Sequence, residues 1–145
     1  MLRRLFSEDI VDFTGRFDRI DRAALLPRPT RPIPIWLGGA GPKAFDRAAR
    51  LADGFIFFGV GGVDSAVESW ASLKARLQEL GRTLQTFGAE YVALSRGADN
   101  LATESETWRA AGGTHFAIST MGFGLESVAA HIDYIASMAS ALGTD

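Results

Sequence analysis

Short apolar segments alternate four times with longer amphipathic segments from residue 33 onward. The apolar segments are nearly continuous, which is typical of strands that are covered on both faces. They comprise residues 33–37, 54–58, 90–95 and 114–119. A strand followed by a helix, repeated in this way, predicts an α/β fold with a parallel sheet and right-handed crossovers.

The intervening segments carry apolar residues at steps of three and four, the period of an amphipathic helix. Helices are predicted over residues 42–52, 63–80, 103–111 and 125–142. The clearest is 63–80, which ends before Gly81, and the last carries an apolar stripe that includes Val128, Ile132 and Ile135. Capping-box spacing predicts that Thr103 and Glu106 begin the third helix.

Residues 1–32 follow a different pattern. Residues 2–7 are typical of the end of a helix, and residues 10–20 predict a small hairpin that turns at Thr14 and Gly15. A proline-rich lead-in, residues 26–32, then runs into the first strand. Because 145 residues suit one compact core, we expect residues 1–145 to form a single domain.

Composition excludes several classes of function. Lys and Arg total 15 against 17 Asp and Glu, so no strong field attracts nucleic acid or a membrane surface. The absence of cysteine removes disulfide and thiolate chemistry, and two histidines leave little from which to build a metal centre. Neither a signal peptide nor a run of roughly 18 to 20 apolar residues is present, so we expect a cytoplasmic protein.

Ligands of parallel α/β folds bind at the carboxyl ends of the strands. The first such loop contains Gly38, Gly39, Ala40, Gly41 and Pro42. Its glycines let backbone amides approach a ligand, and the following helix N-terminus adds a partial positive charge. A plain strand-to-helix turn explains the same residues, so the local pattern leaves both roles open.

The second loop contains Phe58, Gly59 and Gly61, which suit a flat ring lying against backbone. The alternative is that its phenylalanines belong to the core and its glycines only make the turn. Arg96 follows the third strand, where an arginine either binds a phosphate or is simply solvated. The fourth loop, residues 119–124, offers a second phosphate-facing helix N-terminus.

The histidines do not indicate a catalytic site. His115 lies at the start of a strand, away from these loops, and His131 lies on the last helix, so structural or surface roles are expected for both. No serine nucleophile motif is present, and no pair of carboxylates has a spacing that indicates acid–base chemistry. The residues therefore predict a binding surface and leave the catalytic residues unknown.

Two segments together resemble the signature of the bacterial luciferase-like monooxygenases. They are residues 31–44, RPIPIWLGGAGPKA, and residues 47–55, RAARLADGF. Residues 11–17 and 110–115 are also similar to that family. The resemblance covers essentially all 145 residues but only the carboxyl-terminal half of a family chain. It implies half of a (β/α)₈ TIM barrel, with about four parallel strands and four helices.

The resemblance also implies a function, that of a flavin- or deazaflavin-dependent oxidoreductase or monooxygenase. The cofactor, a deazaflavin coenzyme or FMN, is then held by Gly38, Gly39, Ala40, Gly41 and Pro42. Phe58, Gly59 and Gly61 face a small organic substrate. These three replace the polar or basic residues of relatives that use sugar phosphates, which argues against a phosphorylated sugar.

A half-barrel exposes two sheet edges and an apolar inner face, which predicts pairing with a second copy or with an amino-terminal half. One alternative function is a non-catalytic half-barrel that acts as a binding or assembly module. Another is a phosphate-binding α/β protein of an unrelated family.

Overall fold

The computed structural model describes residues 1–143, which form two compact units that divide between Pro34 and Ile35. The first unit contains a helix, α1 (Leu2–Ser7), and two antiparallel strands, β1 (Val11–Thr14) and β2 (Arg19–Ala23). The predicted hairpin is confirmed, but its turn is longer than expected. Because the Gly15 amide donates to the Asp18 carbonyl at 2.8 Å, β2 begins only at Arg19.

The second unit contains a four-stranded parallel sheet in the order β3-β4-β5-β6. Its elements are β3 (Trp36–Gly38), α2 (Pro42–Leu51), β4 (Gly54–Phe58), α3 (Gly62–Glu79), a 3-10 turn (Leu84–Thr86), β5 (Gly88–Ala93), α4 (Ala98–Ala110), β6 (His115–Ile118) and α5 (Val128–Ala141). The predicted α/β class and the parallel sheet are confirmed.

Two predicted helix starts are wrong. Gly97, at φ 86°, precedes α4, which therefore begins at Ala98 rather than at Thr103. The Thr103 hydroxyl instead donates to the Asp99 carbonyl within the helix, at 2.9 Å, so the predicted capping box does not form. Helix α5 begins at Val128, where the Ser127 hydroxyl accepts from the Ala130 amide at 3.1 Å.

The sheet buries one face against the helices, which we call the helix face. Its strand residues are fully or almost fully buried: Phe55, Phe57, Ala89, Tyr91 and Ala93. Trp70, Leu73 and Leu77 of α3 and Trp108 of α4 belong to the same core cluster. Burying one such aliphatic or aromatic side chain contributes about 1.5–3 kcal/mol, so this cluster is the main source of stability in the unit.

The intervening strand residues point to the opposite face, which we call the inner face, because successive side chains of a strand alternate. Ile56, Phe58, Glu90 and Val92 belong to it. Trp36 lies across this face, where a Cβ added at Gly54 or Gly88 would collide with its ring. The ring reaches His115, with centroids 5.0 Å apart and planes at 88°. The glycines of β4 and β5 therefore make room for an indole.

Candidate functional site

The four strands are parallel, so the loops that follow them lie along one edge of the sheet, the carboxyl edge. These loops contain most of the residues that the sequence singled out. They include residues 38–42, 58–61, 94–97 and 119–127. His115, at the first position of β6, lies at the opposite edge.

Residues 39–41 of the first loop form an open turn of backbone, which we call the cradle. Gly39 has φ 137° and Gly41 has φ 78°, both in the region that favours glycine. Pro42 begins α2, where its missing N–H removes no helical hydrogen bond. A Cβ added at Gly41 would meet nothing within 4 Å, so the space beside this backbone is open.

The amides of this loop are available for binding. Within residues 1–143, those of Ala40 and Gly41 donate to no acceptor of the chain. The Gly41 carbonyl is occupied, since it accepts from the Ala44 and Phe45 amides at 3.0 and 3.2 Å. Free donors beside an open space are what an anionic or carbonyl-bearing ligand requires.

The three residues that the sequence singled out in the second loop have different environments. Phe58 is 50% exposed on the inner face and offers an apolar ring at the carboxyl edge. A glycine is required at position 59 for packing, because a Cβ there would lie 2.7 Å from the Val92 carbonyl oxygen. Gly61 adopts φ 101° immediately before α3. The Val60 side chain is exposed between these glycines.

Glu104 of α4 braces the end of β5 from the helix side. It accepts hydrogen bonds from the Ser95 hydroxyl and, at 3.4 Å, from the Tyr91 hydroxyl. Burial, aided by the Glu104 and Asp64 carboxylates, raises the pKa of Tyr91 to about 12. Tyr91 therefore stays protonated and serves as a hydrogen-bond donor that holds α4 against β5.

The third and fourth loops are linked to each other. The Arg96 guanidinium donates to the Gly122 carbonyl at 3.1 Å and stacks on Phe123, with Cζ 4.3 Å from the ring centroid. His131, for which a structural or surface role was expected, is half-buried and shares a 2.7 Å hydrogen bond with the Thr120 hydroxyl. The signal for these contacts is absent from the sequence, because their partners are separated by many residues.

His115 and Glu90 occupy paired positions on neighbouring strands of the inner face. The His115 ring is also hydrogen-bonded to the Thr114 hydroxyl at 2.8 Å. This arrangement agrees with the structural role expected for His115. Within residues 1–143, no group of three or more His, Asp or Glu side chains is placed to hold a metal ion.

The luciferase-like monooxygenase family model matches residues 1–143. The chain belongs to this family. The match confirms the resemblance read from residues 31–55, and it excludes a phosphate-binding protein of an unrelated family. No helix among the described residues is both long and apolar enough to cross a membrane.

Two curated relatives of this luciferase-like chain are named for the coenzyme F420. It is 31% identical over 111 residues to an F420-dependent hydroxymycolic acid dehydrogenase of Mycobacterium tuberculosis, across 75% of this chain and 30% of that protein. It is 41% identical over 56 residues to an F420-dependent glucose-6-phosphate dehydrogenase of Nakamurella multipartita, across 39% of this chain and 16% of that protein. The matched regions therefore span less than a third of either relative.

A solved structure shows the same fold. An F420-dependent secondary alcohol dehydrogenase in complex with an F420–acetone adduct superimposes with a TM-score of 0.72 and 16% identity, across 97% of this chain and 58% of that chain. An F420-dependent tetrahydromethanopterin reductase of Methanopyrus kandleri superimposes with a TM-score of 0.55 and 16% identity, across 71% of this chain and 31% of that chain. The four parallel strands are consistent with part of a (β/α)₈ barrel.

Proposed function

We propose that this chain contributes to a luciferase-like oxidoreductase that uses a deazaflavin coenzyme such as F420, or else FMN. In this proposal Gly38, Gly39, Ala40, Gly41 and Pro42 hold the cofactor, while Phe58, Gly59 and Gly61 face a small organic substrate. The observation that carries it is the open cradle of residues 39–41 at the carboxyl edge of a luciferase-like fold. Relatives named for F420 support the choice of a deazaflavin.

The first loop has room and hydrogen-bond donors for such a cofactor. The free amides of Ala40 and Gly41 suit an oxygen atom of the cofactor, and the space beside Gly41 admits it without a clash. Phe58 offers a half-exposed apolar ring at the same edge, which suits the small organic substrate. Neither feature requires a charged side chain in the cradle.

When bound, the coenzyme supplies the redox chemistry by accepting or donating a hydride on its ring. The chain's own residues orient and shield it. The amides of the cradle would bind and position the cofactor, and Phe58 would shield the substrate from water.

Fluorescence titration of the pure chain with F420 and with FMN tests the proposal. We expect saturable binding well below 1 mM, the concentration at which binding is worth only about 4 kcal/mol. Gly41→Ala places a methyl group in the cradle at a positive φ, so it should weaken binding at least tenfold. Gly81→Ala is the matched control, because Gly81 has φ 66°, equally open space and a place at the far end of α3.

Binding of neither coenzyme below about 1 mM would contradict the proposal. Equal losses in Gly41→Ala and Gly81→Ala would show that backbone strain, rather than occupation of the cradle, weakens binding. Equal affinity of Gly41→Ala and the parent would show that the cofactor lies elsewhere.

The second candidate function is a non-catalytic binding or assembly module. The exposed apolar stripe of α5, formed by Val128, Ile132 and Ile135, favours it. Light scattering at micromolar concentration tests whether copies associate. Association without coenzyme binding would support the module, whereas a monomer that binds F420 would exclude it.

A further inference from the structure

Arg96 follows β5 at the carboxyl edge, and its guanidinium is held in place on the protein surface. The guanidinium stacks on the Phe123 ring at 4.3 Å and donates one hydrogen bond, at 3.1 Å, to the Gly122 carbonyl. A guanidinium has five N–H donors, and within residues 1–143 the side chain of Arg96 makes one hydrogen bond, so most of these donors have no acceptor in the described part of the chain. The side chain is exposed, and those donors are accessible to a ligand.

The groups that hold Arg96 are themselves anchored. Phe123 packs edge-on against Tyr134 of α5, with ring centroids 5.4 Å apart and planes at 88°. The Tyr134 hydroxyl accepts from the Gly97 amide at 3.2 Å, which ties α5 to the residue that follows Arg96. On the other side, the Ser95 hydroxyl donates to Glu104. These contacts restrict the Arg96 side chain before any ligand arrives, which lowers the side-chain entropy that binding costs.

The charge of Arg96 is not neutralised by the chain. Arg76 pairs with both Asp46 and Glu79, whereas within residues 1–143 no carboxylate lies at ion-pair distance from Arg96. Glu104 is close in sequence, but its oxygens accept from Ser95 and Tyr91. The carboxyl edge therefore presents an ordered cation that lacks an anion.

We propose that Arg96 binds the anionic group, a carboxylate or a phosphate, of a substrate at the carboxyl edge. A planar guanidinium presents two parallel N–H donors that match either group. The inference rests on the proposed function for the role of that edge, and it adds the chemical class of the substrate. The cradle at residues 39–41 binds the cofactor, and Arg96, two strands away, binds the charged end of the substrate.

The test is a titration of the ¹⁵N-labelled chain, followed by NMR, with phenyl phosphate, benzoate and neutral benzyl alcohol. We expect the amide signals of Gly97, Gly122 and Phe123 to shift with one of the two anions and not with the alcohol. Preference between the anions identifies phosphate or carboxylate. The affinity should fall as salt is raised, because the interaction is between exposed charges.

Arg96→Gln removes the charge and should weaken binding of the preferred anion at least tenfold. Arg109→Gln is the matched control, because Arg109 is an exposed arginine at the other end of α4 and should leave the affinity unchanged. Arg96→Lys keeps the charge but loses the planar fork, so its affinity should be intermediate. That variant also keeps the test decisive if Arg96→Gln does not fold.

Undiminished anion affinity in Arg96→Gln, or in Arg96→Lys where only that variant folds, would overturn the inference. So would shifts confined to other parts of the chain, or equal binding of benzyl alcohol. A lower melting temperature with unchanged affinity would identify Arg96 as a link between two loops only. Coenzyme titration is a separate readout, since its failure contradicts the proposed function and leaves the anion result standing.

Discussion

Helices α3 and α5 carry similar apolar stripes in the sequence, yet the structure buries one stripe and exposes much of the other. In α3, Leu73 and Leu77 are 0% exposed beneath the helix face of the sheet. In α5, Val128 is 77% exposed and Ile132 is 59% exposed. An apolar period predicts a helix and the side it will bury, but burial also requires a neighbouring element.

The largest expected effect is on the buried stripe. Leu73→Ala should lower the free energy of unfolding by about 2–5 kcal/mol, because it leaves a cavity in the buried core cluster to which Trp70 and Phe57 also belong. Ile132→Ala should change it by no more than about 0.5 kcal/mol, since that side chain is largely exposed. Urea denaturation of both variants at one protein concentration measures the difference.

Comparable losses in Leu73→Ala and Ile132→Ala would break this comparison. They would show that another surface covers α5 in solution. A loss for Ile132→Ala that grows with protein concentration would identify that surface as a second copy.

The two faces of the sheet also differ in what covers them: helices pack on the helix face, whereas the Trp36 ring lies over Gly54 and Gly88 on the inner face. A substitution at Gly88 tests this packing of Trp36. Gly88→Ala should destabilise the chain by about 1–3 kcal/mol, because the added methyl group overlaps the Trp36 ring and forces it to move. Gly38→Ala is the control, since its Cβ would lie 3.6 Å from the Ile56 carbonyl oxygen, an ordinary contact. Thermal or urea unfolding provides the measurement.

A second substitution makes the Gly88 prediction specific to the indole. Trp36→Leu should reduce the cost of Gly88→Ala in a double-mutant cycle. If Gly88→Ala costs the same with either residue at position 36, the contact with Trp36 is not the cause.

The smallest expected effect concerns Tyr91 and the pH dependence of stability. Its pKa in the folded chain is about 12, above the ordinary value of about 10. The folded state therefore retains a proton that the unfolded state loses, so this contribution is complete below about pH 10 and is lost as the pH rises towards 12. Tyr91→Phe should flatten the stability profile in that window and change stability at neutral pH by only about 1 kcal/mol.

Urea denaturation of the parent and Tyr91→Phe at several pH values between 9 and 12 checks this. Identical slopes in the two proteins would mean that Tyr91 ionises as easily when folded as when unfolded.

The sequence predicted the architecture well where local patterns were decisive. Strand β4 has the predicted bounds, and α2 and α3 lie within a residue of theirs, because proline, glycine and apolar spacing act over a few residues. The predicted start of α4 was wrong. Thr103 and Glu106 have capping-box spacing, but the helix begins five residues earlier, directly after Gly97. Local rules compete at such boundaries, and the packing of the helix decides between them.

The candidate site was only partly predictable. The glycine loop at residues 38–42 was recognised from its composition and its place after a strand. The contacts of Arg96 with Gly122 and Phe123 were not, because they join two different strand–helix units. Nor was the contact of His131 with Thr120, which depends on how the loop between β6 and α5 folds back on the helix. Phe58 and Phe57 are adjacent in sequence, and the alternation of the strand sends one ring to the surface and the other to the core.

The sequence by itself determined the order of strands and helices, the parallel sheet and the loops that lie at its carboxyl edge. These follow from hydrophobic period and turn chemistry, which are properties of neighbouring residues. Tertiary structure alone decided that Trp36 lies over Gly54 and Gly88, that the α5 stripe is exposed, and that Arg96 is held without an anion. Those outcomes depend on which distant side chains share the same space, and close packing determines that only when the chain is folded.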